Sequence, residues 1–330
     1  MTWLVWRQHR HQAYIAAAAL AAFAVAMLVT GRPLASQYQS VLRSCAASHT
    51  CASTLGTLSL GASPALILLV ALTVAVPCVM GMFWGGPLVA RELETGTSQF
   101  AWMQSVTRRR WLTVNVGWVL LAAAAWGGAV SALVTWWSSP LNALNKANFQ
   151  PGQFDIQGIV PVSYALFAVA LGIAAGALLR RTLPALAATL VVFTIVRLVI
   201  GQDLRSHYLT AVTIISKFGH PVKTPTGSYW QLSQGLVGPH GQLLSTPALS
   251  GTAVDGVPIS EMPSACRTLA FQDPLKVTSC LVAHGYRGVF TSYQPAGRYW
   301  AFQGIESGIY VLLAAALIAV TAFLVLRRDA

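Results

Sequence analysis

The sequence predicts an all-α polytopic membrane protein, and three observations carry that reading. Six apolar stretches recur along its 330 residues. Hydrophobic residues make up 55% of the chain and charged residues only 9%, whereas a soluble domain carries about a quarter charged. Lys and Arg gather beside the ends of these stretches, as expected where charge fixes topology.

Each stretch is long enough to span. Residues 13 to 30 hold no charge, nor do 52 to 90, 111 to 145, 156 to 179 or 307 to 326, and 182 to 202 hold only Arg197. A bilayer core about 30 Å thick needs roughly 20 helical residues to cross it. The expected transmembrane helices therefore lie near 13–30, 62–84, 112–137, 157–179, 182–201 and 304–326.

Orientation follows from the basic residues. Arg7 and Arg10, Arg91 with Arg108 to Arg110, Arg180 and Arg181, and Arg327 and Arg328 all fall on one face of the predicted topology. That face is cytoplasmic by the positive-inside rule, so both termini are expected in the cytoplasm of a multi-pass plasma-membrane protein. Ten further Lys and Arg lie on the opposite side, spread over long loops where the rule has little force. The net charge of +12 is thus a topology signal. No aromatic-and-basic groove accompanies it, which argues against nucleic acid as a partner and leaves membrane lipid as the charge's partner.

The expected organisation has three parts: residues 1–201 with the first five helices and a cytoplasmic loop at 85–111, an extracytoplasmic segment at 202–303, and a last helix with its tail at 304–330. Trp3, Leu4 and Trp6 ahead of Arg7, Gln8, His9, Arg10 and His11 suit a short amphipathic elbow in the headgroup region. A cleaved signal peptide is the rival, but 18 apolar residues is long for its core and no small-x-small site follows, which favours an uncleaved anchor. Residues 202–303 are rich in Gly, Pro, Ser and Thr, predicting a small cap of turns and short strands with a helix before Cys280. This cap either binds a ligand or orders the ends of the fifth and sixth helices.

Cys45 and Cys51 share the first outer loop and Cys266 and Cys280 the last, so two bridges in an oxidising compartment compete with four free thiols. No Cys-x-x-Cys pair occurs and the outer His residues are scattered, so spacing gives no zinc site. Catalysis finds no support either. All seven His lie outside the predicted spans, no Asp falls within one, and neither His-Glu-x-x-His nor Gly-x-Ser-x-Gly is present.

Arg197 and Glu306 sit near the outer ends of their helices. Either they pair as an outer gate that opens during transport, or they are structural, each snorkelling to the interface or the two holding their helices together. Gly81-x-x-x-Gly85 and Gly172-x-x-x-Gly176 allow close backbone approach, within one subunit or between two. On the cytoplasmic side, Gly85-Gly86-Pro87 is expected to break the second helix. Val89 to Glu94 then make a short transverse helix stopped at Gly96, and Phe100 to Val106 a second one.

The run Glu92-Leu93-Glu94-Thr95-Gly96-Thr97 resembles the Glu-Arg-Glu-x-Gly-Thr signature of type-2 ABC exporter permeases, with Leu93 in place of the basic residue. The opening Thr2 to Arg10, the run Ala101 to Arg108, and Tyr293 to Ala296 with Phe302 to Glu306 are similar to actinobacterial members of that family. The resemblance implies a six-helix half-transporter with an elbow holding Arg7 and Arg10. It also implies a coupling helix in which Glu92, Glu94, Gly96 and Thr97 meet an ABC ATPase subunit. Leu93 removes the ion pair the basic residue would make, though Leu93 and Thr95 keep their places in the loop.

The chain has no phosphate-cradling Gly-x-x-x-x-Gly-Lys-[Ser/Thr] loop, so ATP and Mg belong to the partner ATPase and no cofactor is expected here. The expected function is a non-enzymatic permease of an ATP-driven exporter, paired with a second permease subunit as a dimer. The alternative is a structural or sensory membrane protein whose cap binds an extracellular ligand.

Overall fold

The computed structural model describes residues 2–48, 64–94, 107–145, 149–220, 229–247, 253–254, 257–258, 262–272 and 276–327. In chain order its principal helices are α1 Thr2–Ser48, α2 Pro64–Met80, α3 Gly86–Glu94, α4 Arg108–Asn145, α5 Val160–Leu179, α6 Thr182–Leu198, α7 Ser264–Gln272, α8 Val277–Ala283 and α9 Tyr299–Arg327. The chain divides into two compact units, one of Met1–Asn145, Gly152–Arg205 and Ala301–Ala330, the other of Lys146–Pro151 and Ser206–Trp300.

The first unit is a helical bundle. Among the described residues six stretches are long and apolar enough to cross a membrane: Ala13–Arg32, Ala71–Glu92, Arg109–Ser139, Val160–Leu179, Thr182–His207 and Ala296–Leu326. The protein is an all-α polytopic membrane protein in this unit. Helix α5 is its centre, because 72% of that span is buried against 6% of the first. Its sequence is apolar all round and built largely of Ala and Gly, the composition of a helix enclosed by others.

The two glycine pairs face each other inside this one chain. A Cβ on Gly81 or Gly85 would collide with the Ala168 or Val169 carbonyl of α5. A Cβ on Gly172 would collide with the Gly81 carbonyl, and one on Gly176 would lie 2.6 Å from the Gly86 oxygen. Backbone therefore meets backbone, and a layer of Met80, Leu88, Val89, Leu112, Val169 and Ile173 closes round the contact. Helix α1 is pinned to α4 by two indoles: Trp126 Nε1 donates to the Ala16 carbonyl at 3.2 Å and Trp137 Nε1 to Thr30 Oγ1 at 3.1 Å.

Two expected breaks are absent. The elbow over the first twelve residues is not a separate element, because α1 runs unbroken from Thr2 to Ser48. Residues 2–30 contain neither Gly nor Pro, so no residue there stops a helix. Nor does Gly85-Gly86-Pro87 interrupt the second helix. A π-helical turn, Gly81–Gly85, joins α2 to α3, and Gly86 N–H reaches five residues back to the Gly81 carbonyl. Such a wide turn accommodates the N–H that Pro87 lacks. The acidic motif therefore begins at the end of a continuous rod and not on a transverse helix. The second loop helix expected at Phe100 to Val106 lies outside the described residues.

The second unit carries the strands expected of residues 202–303, along with α7 and α8. They are β1 Val212–Lys217, β2 Tyr229–Val237, β3 Leu243–Pro247, β4 Ala253–Val254, β5 Val257–Pro258 and β6 Gly288–Pro295. Four form an antiparallel sheet in the order β1-β6-β2-β3, with Ile215 opposite Phe290 and Leu236 opposite Val289. Leu236, Met262, Cys266, Val277 and Leu281 form the core between sheet and helices. Cys266 of α7 is bridged to Cys280 of α8, their Cα atoms 5.8 Å apart. Cys51 and the side chain of Cys45 lie outside the described residues.

The glycine contact yields a direct prediction. Gly172→Ala should cost about 1–3 kcal/mol through overpacking, whereas Gly117→Ala, whose Cβ has nothing within 4 Å, should leave stability unchanged or raise it. Thermal melts of the two variants in detergent micelles compare them. Equal melting temperatures would refute the close backbone contact.

Candidate functional site at the two ends of the bundle

The acidic motif occupies one end. Thr95, Gly96 and Thr97 lie outside the described residues, as does the side chain of Leu93. Glu92 is half-buried on the last turn of α3. Glu94 is exposed, and its carboxylate accepts two bonds from Thr182, from Oγ1 at 2.7 Å and from the backbone N–H at 3.1 Å. It thereby caps the N-terminus of α6, where orphan N–H groups and the helix dipole favour an anion. These donations, with Arg181 nearby, hold the Glu94 carboxyl below the usual carboxylate range, so it is ionised at neutral pH.

The α5–α6 link beside it is as short as a helical hairpin allows. Arg180 closes α5 in the left-handed region, φ 54°, and Arg181 is extended before Thr182 opens α6. Placing a non-glycine residue there costs roughly 1–2 kcal/mol. At the same end Thr107 caps α4 through an Arg110 N–H bond to its hydroxyl at 3.4 Å. Arg109 and Arg110 then lie exposed at the positive end of the α4 dipole, each unfavourable by about 0.3–1 kcal/mol.

An apolar cavity of about 680 Å³ opens near this end, between α1, the α2–α3 rod and α4. Ile15, Leu72, Val76, Phe83 and Trp84 line it, with Arg91 and Thr182 among its few polar neighbours. The side chain of Arg7 is outside the described residues, and Arg10 is exposed on α1.

The opposite end holds a buried ion cluster. Glu306 on the first turns of α9 is 0% exposed and Arg205, just past α6, is 2% exposed. Arg205 grips Glu306 with a two-pronged hold, Nε to Oε2 and Nη2 to Oε1, both at 2.7 Å. Its Nη2 also donates to Asp155 Oδ1 at 2.5 Å. Arg197 reaches Asp155 Oδ2 at 3.3 Å and Glu306 at 3.8 Å, and its guanidinium stacks 3.6 Å over the Tyr164 ring. The Tyr164 hydroxyl donates to Glu306 Oε1. Two acids and two arginines balance, as a low-dielectric site requires.

Arg197 and Glu306, the two residues singled out from the sequence, lie 3.8 Å apart, but the closer partner of Glu306 is Arg205. Arg205, Asp155 and Tyr164 were absent from the expected site; where the spans held only Arg197, with Glu306 at an edge, the structure gathers four charged side chains, two of them fully buried. A π-helical turn, Val199–Leu204, follows α6 and underwinds it, carrying Arg205 back toward Glu306. The available signal was that Asp155, Arg205 and Glu306 all flank helix ends on one predicted side. Beside the cluster, Gln303 performs at α5 what Glu94 performs at α6: its Oε1 accepts from Ile159 and Val160 N–H at 2.9 and 3.0 Å.

The cluster's balance is testable. Arg205→Met strands a buried carboxylate and should cost about 3–5 kcal/mol, while Arg205→Met with Glu306→Leu should recover most of it because Asp155 keeps Arg197. Chemical denaturation in micelles reads both. Additive losses would show that the two residues do not act as a pair.

Comparison with known proteins agrees with the architecture. Searches of curated proteins and of solved structures return no significant match. A family model described as ABC-2 membrane transporter related matches residues 17–205, more than half the chain and the segment that runs from α1 to the last arginine of the cluster. The chain therefore belongs to the ABC-2 membrane transporter related family and is a transport permease.

Proposed function

We propose that this chain is the transmembrane subunit of an ATP-driven exporter, coupled through residues 92–97 to a separate ABC ATPase. The observation that carries this reading is the Glu94 cap on Thr182. It ties the acidic motif to the α5–α6 hairpin, so a push on the motif moves helices that end at the ion cluster. Arg91, Arg109, Arg110, Arg180 and Arg181 at the same end support a cytoplasmic location there, with both termini inside. The ion cluster then faces outward.

In this reading the chain itself performs no catalysis. ATP and Mg bind the partner, and closure of two ATPases drives two permease subunits between inward-open and outward-open states. Glu92, Leu93, Glu94, Thr95, Gly96 and Thr97 form the contact, with Glu94 serving as the internal tie. Arg197 and Glu306 belong to an outer latch whose strongest bond is Arg205 to Glu306. The exposed apolar face of α1 suits a second permease subunit or lipid. Apolar walls around the 680 Å³ cavity favour a hydrophobic or amphipathic cargo.

Vesicles holding the permease and its ATPase test the assignment. Glu94→Arg should abolish nucleotide-dependent transport and co-purification of the ATPase, while membrane insertion is retained. Transport that survives replacement of residues 92–97 by Gly and Ser would remove the motif from the mechanism.

A further inference from the structure

The bridge between α7 and α8 has a third neighbour. His284, directly after α8, places Nδ1 3.7 Å from Cys266 Sγ and 3.8 Å from Cys280 Sγ. The three ligand atoms all lie within 4.8 Å of one another. Helix α8 sets Cys280 and His284 four residues apart, on one face. Buried Cys266 is supplied by α7, which the core around Leu281 and Val277 holds in place.

Tetrahedral coordination with bonds of about 2.3 Å to sulfur and 2.0–2.1 Å to nitrogen puts ligand atoms roughly 3.5–3.8 Å apart. Both sulfur-to-nitrogen edges already have that length. Only the sulfur-to-sulfur edge is shorter, because a covalent bond closes it. Cys280 is partly exposed and His284 exposed, so two of the three ligands can adjust and a water can complete the set.

We propose that Cys266, Cys280 and His284 are a redox-gated site for a thiophilic divalent cation of the zinc and cadmium class. In the oxidised protein the disulfide joins α7 to α8 and no cation binds. A small-molecule dithiol opens it: a thiolate attacks the accessible Cys280 sulfur, Cys266 leaves as thiolate, and the second thiol of the reagent releases Cys280. The reagent ends as a cyclic disulfide, and the protein gains two electrons and two protons. Cation binding then expels both thiol protons, and the cation replaces the covalent tie. In the oxidised protein His284 Nδ1 lies 2.9 Å from the Cys280 carbonyl. Binding moves its proton to the exposed Nε2 and turns the Nδ1 lone pair to the cation.

The test uses the full chain in detergent micelles with Cys45, Cys51 and Cys78 replaced by Ser. It is reduced with a phosphine, both remaining thiols are counted with a thiol reagent, and CdCl₂ is titrated. The reduced protein should show an ultraviolet thiolate-to-cadmium band saturating at one ion per chain, and the oxidised protein none. His284→Ala should weaken binding about tenfold or more, at least the effect that losing a partner of a ligand has. His284→Cys should restore it and keeps the result interpretable if the alanine variant folds poorly. Absence of the band in protein with both thiols free, or affinity unchanged in His284→Ala, would overturn the proposal.

Discussion

Close contact between the backbones of α5 and the α2–α3 rod is the constraint on which the helical unit depends. A membrane offers no hydrophobic force to hold apolar helices together, so association rests on packing. Gly81, Gly85, Gly172 and Gly176 let two helices touch without side chains between them. The π-helical turn at Gly81–Gly85 lies inside this contact, so the irregular stretch ahead of Pro87 is braced where its hydrogen bonding is weakest. Because α5 is enclosed, whatever moves it must move its neighbours too.

Polar side chains stitch the two ends of the α5–α6 pair. Glu94 caps α6 at one end and Gln303 caps α5 at the other, each satisfying N–H groups that a membrane-facing helix terminus leaves bare. The ion cluster adds a third tie. Buried ion pairs stabilise little in net terms because desolvation offsets attraction, but they fix geometry and are costly to half-break. An arrangement with two acids and two arginines is thus well suited to holding one closed state firmly and having no good partially open one. That is the behaviour expected of a latch.

Much of this was legible from the residues. Uncharged runs of sufficient length gave the spans, and the glycine pairs gave the helix contact, though not whether it lay within one chain. That Arg197 and Glu306 both flank helix ends on one side was visible, but not whether they meet or each reach the interface alone. What escaped were features set by backbone irregularity. Gly-Gly-Pro signals a break in a soluble helix, but in a buried rod a wider turn carries the chain through. Arg205 was assigned to a loop because the apolar run ends before it, and only the underwound turn returns it to Glu306. His284 was one of several scattered histidines until the α7–α8 bridge gave it two sulfurs.

In the proposed exporter, nucleotide acting on the acidic motif opens the Arg205–Glu306 latch at the far end. Spin labels at exposed Gln202 and Ile305, read by pulsed electron resonance in the assembled transporter, test it directly. A latch gives a short distance without nucleotide and a second, longer population when a non-hydrolysable ATP analogue is bound. A single unchanged distance in a transporter that remains active would contradict it.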